Sequence, residues 1–123
     1  MNQTIRRSLL MSVLVSSSLF ISITSAPLAE AATDMITLTN KLENGKKVWQ
    51  PATATVKAGD KVEITLVNTL ADPHGFEIKE LSQKVVLGPK ETKTISFDAT
   101  KSGTFKFDCQ LHPAHIGGEL IVK

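Results

Sequence analysis

The residues best suited to chemistry in this 123-residue chain are its single cysteine and its three histidines, and they fall in only two places. His74 lies in the short segment Asp72–Phe76, whereas Cys109, His112 and His115 stand close together near the C-terminus. Thiolate and imidazole are soft or borderline ligands that suit copper or zinc. The clustering therefore predicts a metal site built from these four side chains.

Three kinds of chemistry are open to this cluster. A structural zinc site usually gathers paired thiolates, and the chain has one thiol. A Cys–His nucleophile needs exposure, but the alternation Phe105, Phe107, Cys109 predicts that the thiol points inward beside two aromatic rings. One cysteine with two histidines and a weaker fourth ligand is the donor set of mononuclear copper electron-transfer sites. The residues therefore favour copper.

The N-terminus has the pattern of a secretory signal peptide. Arg6-Arg7 forms a positive region, Leu9 to Ile23 is an apolar run diluted by serines, and Ala29-Glu30-Ala31 is a small-x-small cleavage pattern. We expect cleavage after Ala31, with 1–31 as the signal peptide and 32–123 as the mature domain. The alternative is an uncleaved anchor, but the run is short and serine-rich for a membrane span. The mature protein is expected to be periplasmic or secreted, with no membrane insertion.

The apolar period in the mature segment is two almost throughout, which predicts an all-β domain. Turn signals recur about every ten residues, a spacing typical of an antiparallel sandwich or barrel of seven to eight strands. A helical turn fits only 79–84. The expected strands are Met35–Thr39, Thr53–Val56, Val62–Leu66, Gly75–Ile78, Lys84–Leu87, Thr92–Phe97, Thr104–Cys109 and Glu119–Val122, with a further apolar patch at Val48-Trp49.

Composition excludes several other classes of protein. Fourteen Lys and Arg against twelve Asp and Glu leave no basic surplus to neutralise phosphates, so nucleic acid is not an expected partner. One cysteine excludes an internal disulfide, an iron–sulfur cluster and a dinuclear copper centre. No charged patch identifies a redox partner. The mature chain is expected to be a monomer or a weak homo-oligomer.

The C-terminal motifs resemble those of a known family. A strand ending in Phe-Asp-Cys109, a Cys-x-x-His-Pro loop and a last strand at Gly117–Val122 look like the C-terminal signature of cupredoxins. The ligand spacing is similar to the short loop of amicyanin, and His74-Gly75-Phe76 resembles the segment that carries the family's first histidine ligand. The resemblance covers nearly all of 33–123. It implies a Greek-key β-sandwich that holds one copper ion per chain, cycling between Cu(II) and Cu(I).

Carried over position by position, the resemblance implies that His74, Cys109 and His112 are the in-plane copper ligands. In the amicyanin-like spacing, position 115 would be the axial methionine, and here it is His115. A histidine there implies a green or red centre, as in red-copper cupredoxins such as nitrosocyanin; the alternative is that His115 faces solvent. Glu77 and Glu80 are close enough in sequence to be considered, although they fit solvated strand-end charges better.

The resemblance implies one-electron transfer, with a solvent-near histidine, His112, as the route by which the electron leaves. Two alternatives stay open on the sequence. One is copper binding or handling in copper tolerance, and the other is a small redox enzyme with an open copper position. An electron carrier or copper-binding protein is favoured over an enzyme.

Overall fold

Strict alternation of apolar and polar side chains determines which face of each strand is buried. In the strand Lys61–Asn68, Val62, Ile64 and Leu66 are buried, while the lysine and the residues between them face outward or lie half-buried. Side chains of a strand point alternately to its two faces, so the apolar set covers one face of the sheet. The same reasoning applies along most of the chain.

The structure, a computed structural model, describes residues 32–123. These residues form nine strands and one short 3-10 helix at Lys79–Leu81. The strands are β1 (Thr33–Glu43), β2 (Lys46–Gln50), β3 (Thr53–Val56), β4 (Lys61–Asn68), β5 (His74–Ile78), β6 (Gln83–Leu87), β7 (Thr92–Asp98), β8 (Gly103–Phe107) and β9 (Gly118–Val122).

Three sheets enclose the core. A four-stranded sheet has the order β2-β1-β4-β7, a three-stranded sheet the order β3-β9-β8, and β5 pairs with β6. An isolated antiparallel bridge between Glu77 and Asp108 connects β5 to the end of β8. The predicted all-β sandwich is confirmed.

The prediction of purely antiparallel pairing is wrong in two places, and nine strands replace the expected seven to eight. β1 pairs with β4 in parallel, and β3 pairs with β9 in parallel. Parallel neighbours require a crossover connection. Here β2 and β3 lie between β1 and β4 in the chain but belong to different sheets, so the chain crosses between sheets before β4 returns beside β1.

Aromatic side chains fill the core beneath the end of the sheets that carries the cysteine and histidines. The Trp49 ring meets Phe76 edge-on with centroids 5.5 Å apart, and Phe76 lies 5.3 Å from Phe107. Phe105, Phe107 and Cys109 are all buried, whereas Lys106 is exposed. The predicted inward direction of the thiol is confirmed.

The predicted signal peptide, 1–31, lies outside the described residues. Within 32–123, no helix has the length and apolar character needed to cross a membrane.

Candidate metal centre

His74 begins β5 and is completely buried. Neither of its ring nitrogens has a hydrogen-bond partner among residues 32–123. A buried polar atom left unpaired is costly, and native proteins seldom leave one without a reason. A metal ion bound to one nitrogen would provide that reason.

Cys109 is positioned by the junction between β5 and the end of β8. The backbone of Asp108 exchanges two hydrogen bonds with that of Glu77, at 2.9 and 3.0 Å. This pairing brings the Cys109 sulfur to 3.2 Å from the backbone N–H of Gly75, which donates to it. A hydrogen bond to sulfur stabilises the thiolate form, which is the form that binds metals.

The Gln110 side chain packs closely against the backbone at this junction, which explains why the residue after His74 is a glycine. A Cβ atom at Gly75 would lie 2.2 Å from the side-chain oxygen of Gln110. The same Gln110 side chain donates from its Nε2 to the backbone oxygen of Val85 at 3.1 Å. Residue 75 therefore has to lack a side chain if Gln110 is to cover the junction.

His112 enters the site from the turn that follows Cys109. Its backbone N–H donates to the Cys109 carbonyl oxygen at 3.4 Å, and its Nδ1 lies 3.6 Å from the Cys109 sulfur. The His112 ring is half-buried, with its centroid 4.7 Å from that of His74. Ligand atoms of His74, Cys109 and His112 all lie within 4.8 Å of one another. The structure thus brings three of the four predicted site residues together.

His115 lies beside this group without joining it. Its ring is buried, with the centroid 5.3 Å from that of His74 and 5.9 Å from that of Trp49. Its Nε2 lies 2.7 Å from the Asn40 side-chain oxygen, and its Nδ1 lies 3.1 Å from the backbone oxygen of Ile116. Coordination by His115 stays a prediction, and the alternative that it faces solvent does not fit its burial.

The two acidic residues considered from the sequence, Glu77 and Glu80, are outside the three-residue group. Glu77 is half-buried and pairs through its backbone with Asp108, and Glu80 is exposed in the 3-10 helix. Neither side chain contributes to the cluster.

Burial keeps two of the histidines neutral. Desolvation, with help from His112 and His115 nearby, lowers the pKa of His74 from 6.5 to about 4. Desolvation also lowers the pKa of His115, against the opposing effect of the Ile116 carbonyl. A metal ligand must be deprotonated, so a histidine that is already neutral binds without first releasing a proton.

Two buried asparagines near the site were missed by sequence reasoning. Asn40 and Asn68 are completely buried and face each other as Cα partners in the β1–β4 pair. Each ends an inward-facing apolar series, which for β4 runs through Val62, Ile64 and Leu66. The signal in the sequence was a polar residue at a position where the alternation predicts a buried apolar one. Such a residue indicates a buried hydrogen-bonded pair, since buried polar side chains are usually paired.

The family to which the chain belongs is decided by a match to a known family model. The family model of the cupredoxin-like domain matches residues 11–122. The chain belongs to the cupredoxin-like domain family.

Solved structures share this cupredoxin-like fold at low sequence identity. Reduced auracyanin from Roseiflexus castenholzii is 23% identical, with a TM-score of 0.60, and the match covers 76% of this chain and 99% of that one. The metal-binding domain of a Cu(I)-exporting P-type ATPase from Streptococcus pneumoniae is 22% identical, with a TM-score of 0.55, covering 71% and 95%. A copper nitrite reductase from Nitrosomonas europaea is 22% identical, with a TM-score of 0.61, and this chain spans 41% of its length against 74% of its own.

The residues present fit a copper ion. The cluster offers one sulfur and two imidazoles, the donor set of mononuclear copper sites, and it lacks the paired thiolates of structural zinc. The unpaired nitrogens of His74 and the enclosed sulfur of Cys109 are the features that a bound ion would satisfy. In a cupredoxin-like fold, this site supports one copper ion per chain.

Proposed function

We propose that this protein is an exported one-electron carrier whose copper ion is held by His74, Cys109 and His112. The observation that carries the proposal is the convergence of their three ligand atoms within 4.8 Å inside a cupredoxin-like fold. Copper bound there supplies a Cu(II)/Cu(I) couple. The nitrite reductase structure that shares the fold is a copper protein by its own description.

The chain's own groups suit a centre that changes charge with little rearrangement. His74 and Cys109 are enclosed, so water is excluded from that side of the site. The N–H of Gly75 donates to the sulfur from a backbone position fixed by strand pairing. Hydrogen bonds around the cysteine sulfur and the hydrophobicity of the pocket tune the redox potential of such sites.

His112 provides the route between the site and solvent. It is the half-buried member of the three, whereas His74 and Cys109 are buried. Two apolar side chains beside it, Leu111 and Ile116, are each 44% exposed. We infer that electrons enter and leave through the His112 ring, with a redox partner docking over these apolar side chains.

Copper handling is the second candidate, and one cleft favours it. A cavity of about 440 Å³ is lined by His112, His115 and Lys47, among other residues, so it borders one of the three clustered residues. An ion that must be delivered or collected needs a path to its ligands. Electrochemistry of the copper-loaded protein separates the candidates: a reversible couple supports electron transfer, and loss of copper on reduction supports handling.

The assignment of a copper–thiolate centre is tested by Cys109→Ser. Because the charge-transfer bands of such a centre need the thiolate sulfur, we expect the visible absorption of the copper-loaded protein to disappear. Lys106→Gln, a change on the solvent face of β8, the strand that leads to Cys109, should leave the bands unchanged and is the matched control. Visible bands that survive Cys109→Ser would contradict the assignment.

Export is proposed from the N-terminal pattern. The positive Arg6-Arg7 pair, the apolar run from Leu9 to Ile23 and the small residues Ala29 and Ala31 support it. A free thiol in an exported protein is protected from oxidation when it is buried and bound to metal, which is consistent with the position of Cys109.

A further inference from the structure

A buried chain of hydrogen bonds connects His115 to the loop that leads into His74. Its two central members are Asn40 of β1 and Asn68 of β4, which are 0% and 1% exposed. Buried polar networks are costly unless every member is satisfied, so the direction of each hydrogen bond carries information. The direction of each hydrogen bond follows from the backbone groups that contact Asn68, at one end of the network.

The orientation of the Asn68 side chain is fixed by three backbone contacts. Its Nδ2 donates to the carbonyl oxygens of Asp72 and Gly88, at 2.8 and 2.9 Å. Its Oδ1 accepts from the backbone N–H of Leu70 at 3.1 Å. A backbone carbonyl cannot donate and a backbone N–H cannot accept, so exchanging the amide oxygen and nitrogen would break all three contacts.

The fixed Asn68 determines the orientation of Asn40, which in turn determines the tautomer of His115. Asn40 must donate from Nδ2 to the Asn68 oxygen, at 3.0 Å, which leaves its own oxygen facing the Nε2 of His115 at 2.7 Å. Both ring nitrogens face oxygens that only accept, and a neutral imidazole has one hydrogen, so we place that hydrogen on Nε2, which makes the shorter of the two contacts.

The remaining nitrogen of His115 then carries the lone pair. In a neutral ring, Nδ1 has no hydrogen to share with the Ile116 carbonyl oxygen 3.1 Å away, and the contact joins two acceptors. Nδ1 is therefore the atom that gains most from binding a cation. Metal-ligating histidines characteristically donate their other N–H to a carbonyl or carboxylate oxygen, which is the arrangement of Nε2 with Asn40.

We propose that Asn40 is a positioning residue of the copper centre, which fixes the Nε2–H tautomer of His115 so that Nδ1 binds copper as the fourth ligand. Asn68 anchors Asn40 in the required orientation. Copper held by Nδ1 would take the place of the contact with the Ile116 oxygen, and Nε2 would keep its hydrogen bond to Asn40. The inference rests on the proposed copper function. It adds His115 to the three-ligand cluster as a ligand, and Asn40 and Asn68 as the residues that orient it.

The first test uses the metal-free protein. Long-range proton–nitrogen NMR distinguishes the two histidine tautomers, and we expect His115 of the wild type to be in the Nε2–H form. In Asn40→Leu, which removes the acceptor while Asn68 keeps its three backbone partners, the ring should lose this preference. A wild-type ring with its hydrogen on Nδ1 would overturn the inference.

The second test uses the visible spectrum of the copper-loaded protein. We expect Asn40→Leu to shift the copper–thiolate band in the same direction as His115→Ala. In a protein that already carries His115→Ala, Asn40→Leu should add no further shift, because Asn40 acts through His115. Thr69→Val is the matched control: it removes a 2.6 Å hydrogen bond to the backbone carbonyl of Asn40 and should leave the band in place.

The possible results are distinguishable. A band unchanged by Asn40→Leu, or a shift that persists without His115, overturns the inference and leaves the three-ligand centre standing. Absence of any copper–thiolate band in the wild type overturns the proposed function and the inference with it. If Asn40→Leu does not fold, Asn40→Ser removes the same amide acceptor with a smaller polar side chain and is measured in its place.

Discussion

At the scale of single residues, the centre is organised around a histidine that the fold leaves unsatisfied. His74 is completely buried, and both ring nitrogens are without a hydrogen-bond partner in the described part of the chain. Burial alone disfavours its charged form, and two neighbouring histidines add to the effect. The metal-free protein therefore holds a neutral imidazole where an unfolded chain holds one that titrates normally.

The stability of the metal-free protein should consequently depend on pH. His74 titrates near 6.5 when unfolded and near 4 when folded, so between these values the unfolded state binds more protons. The free energy of unfolding should therefore fall as the pH is lowered from about 6.5 to about 4. Urea titrations of the metal-free protein across this range measure the fall.

The matched control for this pH dependence is His74→Phe, which removes the titrating group and keeps a ring. Its free energy of unfolding should decline less steeply over the same range than that of the wild type. Equal slopes in the two proteins would show that His74 is not responsible. The buried His115 also has a lowered pKa, so part of the decline should remain in the variant.

Residue types and spacing were enough to predict that Cys109 and His112 lie together, and they were not enough to predict the surroundings of the cluster. Cys109 and His112 stand three positions apart in one turn, so their proximity is a local property that spacing reveals. His74 came from its resemblance to a family segment. The contact between Asn40 and His115 joins residues 75 positions apart, and no local pattern encodes such a pairing.

At the scale of elements, the segment between β8 and β9 is held where its backbone passes close to neighbouring strands. The N–H of Ile116 donates to the Lys47 carbonyl oxygen at 2.9 Å, and the Ile116 carbonyl oxygen accepts from the N–H of Trp49 at 3.2 Å. A Cβ atom at Gly117 would lie 2.0 Å from the Phe107 carbonyl oxygen. The ligand loop is therefore fixed by β2 on one side and by the end of β8 on the other.

We expect Gly117→Ala to destabilise the protein by about 2 kcal/mol, because backbone atoms must move to admit the methyl group. Gly88→Ala is the control, since its new methyl group would lie 3.2 Å from the end of the flexible Glu91 side chain. Denaturant midpoints of the two variants give the comparison. A Gly117→Ala variant as stable as the Gly88→Ala variant would refute the close approach of residue 117 to the Phe107 carbonyl oxygen.

Strand positions were predictable because alternation is a local signal, and strand partners were not. β3 was predicted with its observed bounds, Thr53–Val56, from four residues of alternating burial. Its parallel pairing with β9 depends on a partner at the far end of the domain, and the turn residues nearby say nothing about it. Turn chemistry specifies the partners of hairpins, whereas crossovers between sheets leave no such mark.

At the scale of the whole molecule, the residue directly after the predicted cleavage position makes a hydrogen bond within the domain. The carbonyl oxygen of Ala32 accepts from the N–H of Lys61 at 3.0 Å, and β1 starts at Thr33. Residue 32 is thus part of the folded domain, directly after the proposed cleavage site. Signal cleavage after Ala31 would leave this hydrogen bond intact.

The exported protein should therefore begin at Ala32. Intact-mass analysis of protein recovered from the exported fraction tests this expectation directly. Replacing Ala29 and Ala31 by leucine removes the small residues of the cleavage pattern and should leave the precursor uncut. An exported wild-type protein whose mass still includes residues 1–31 would refute the proposed processing.

The pairing of β3 with β9 also bears on how quickly the chain reaches this structure. Ala54 and Leu120 are neighbours in the sheet although most of the domain lies between them in sequence. Pairings of high sequence separation slow folding, because the entropy of closing the intervening loop is lost before the contacts form. Cys109 lies inside that loop, and its thiol is held by the junction between Glu77 and Asp108 and by the contact with Gly75, so it is accessible until those contacts form. The interval before they form is therefore the period in which the chain is most open to oxidation and to cross-linking with a second copy.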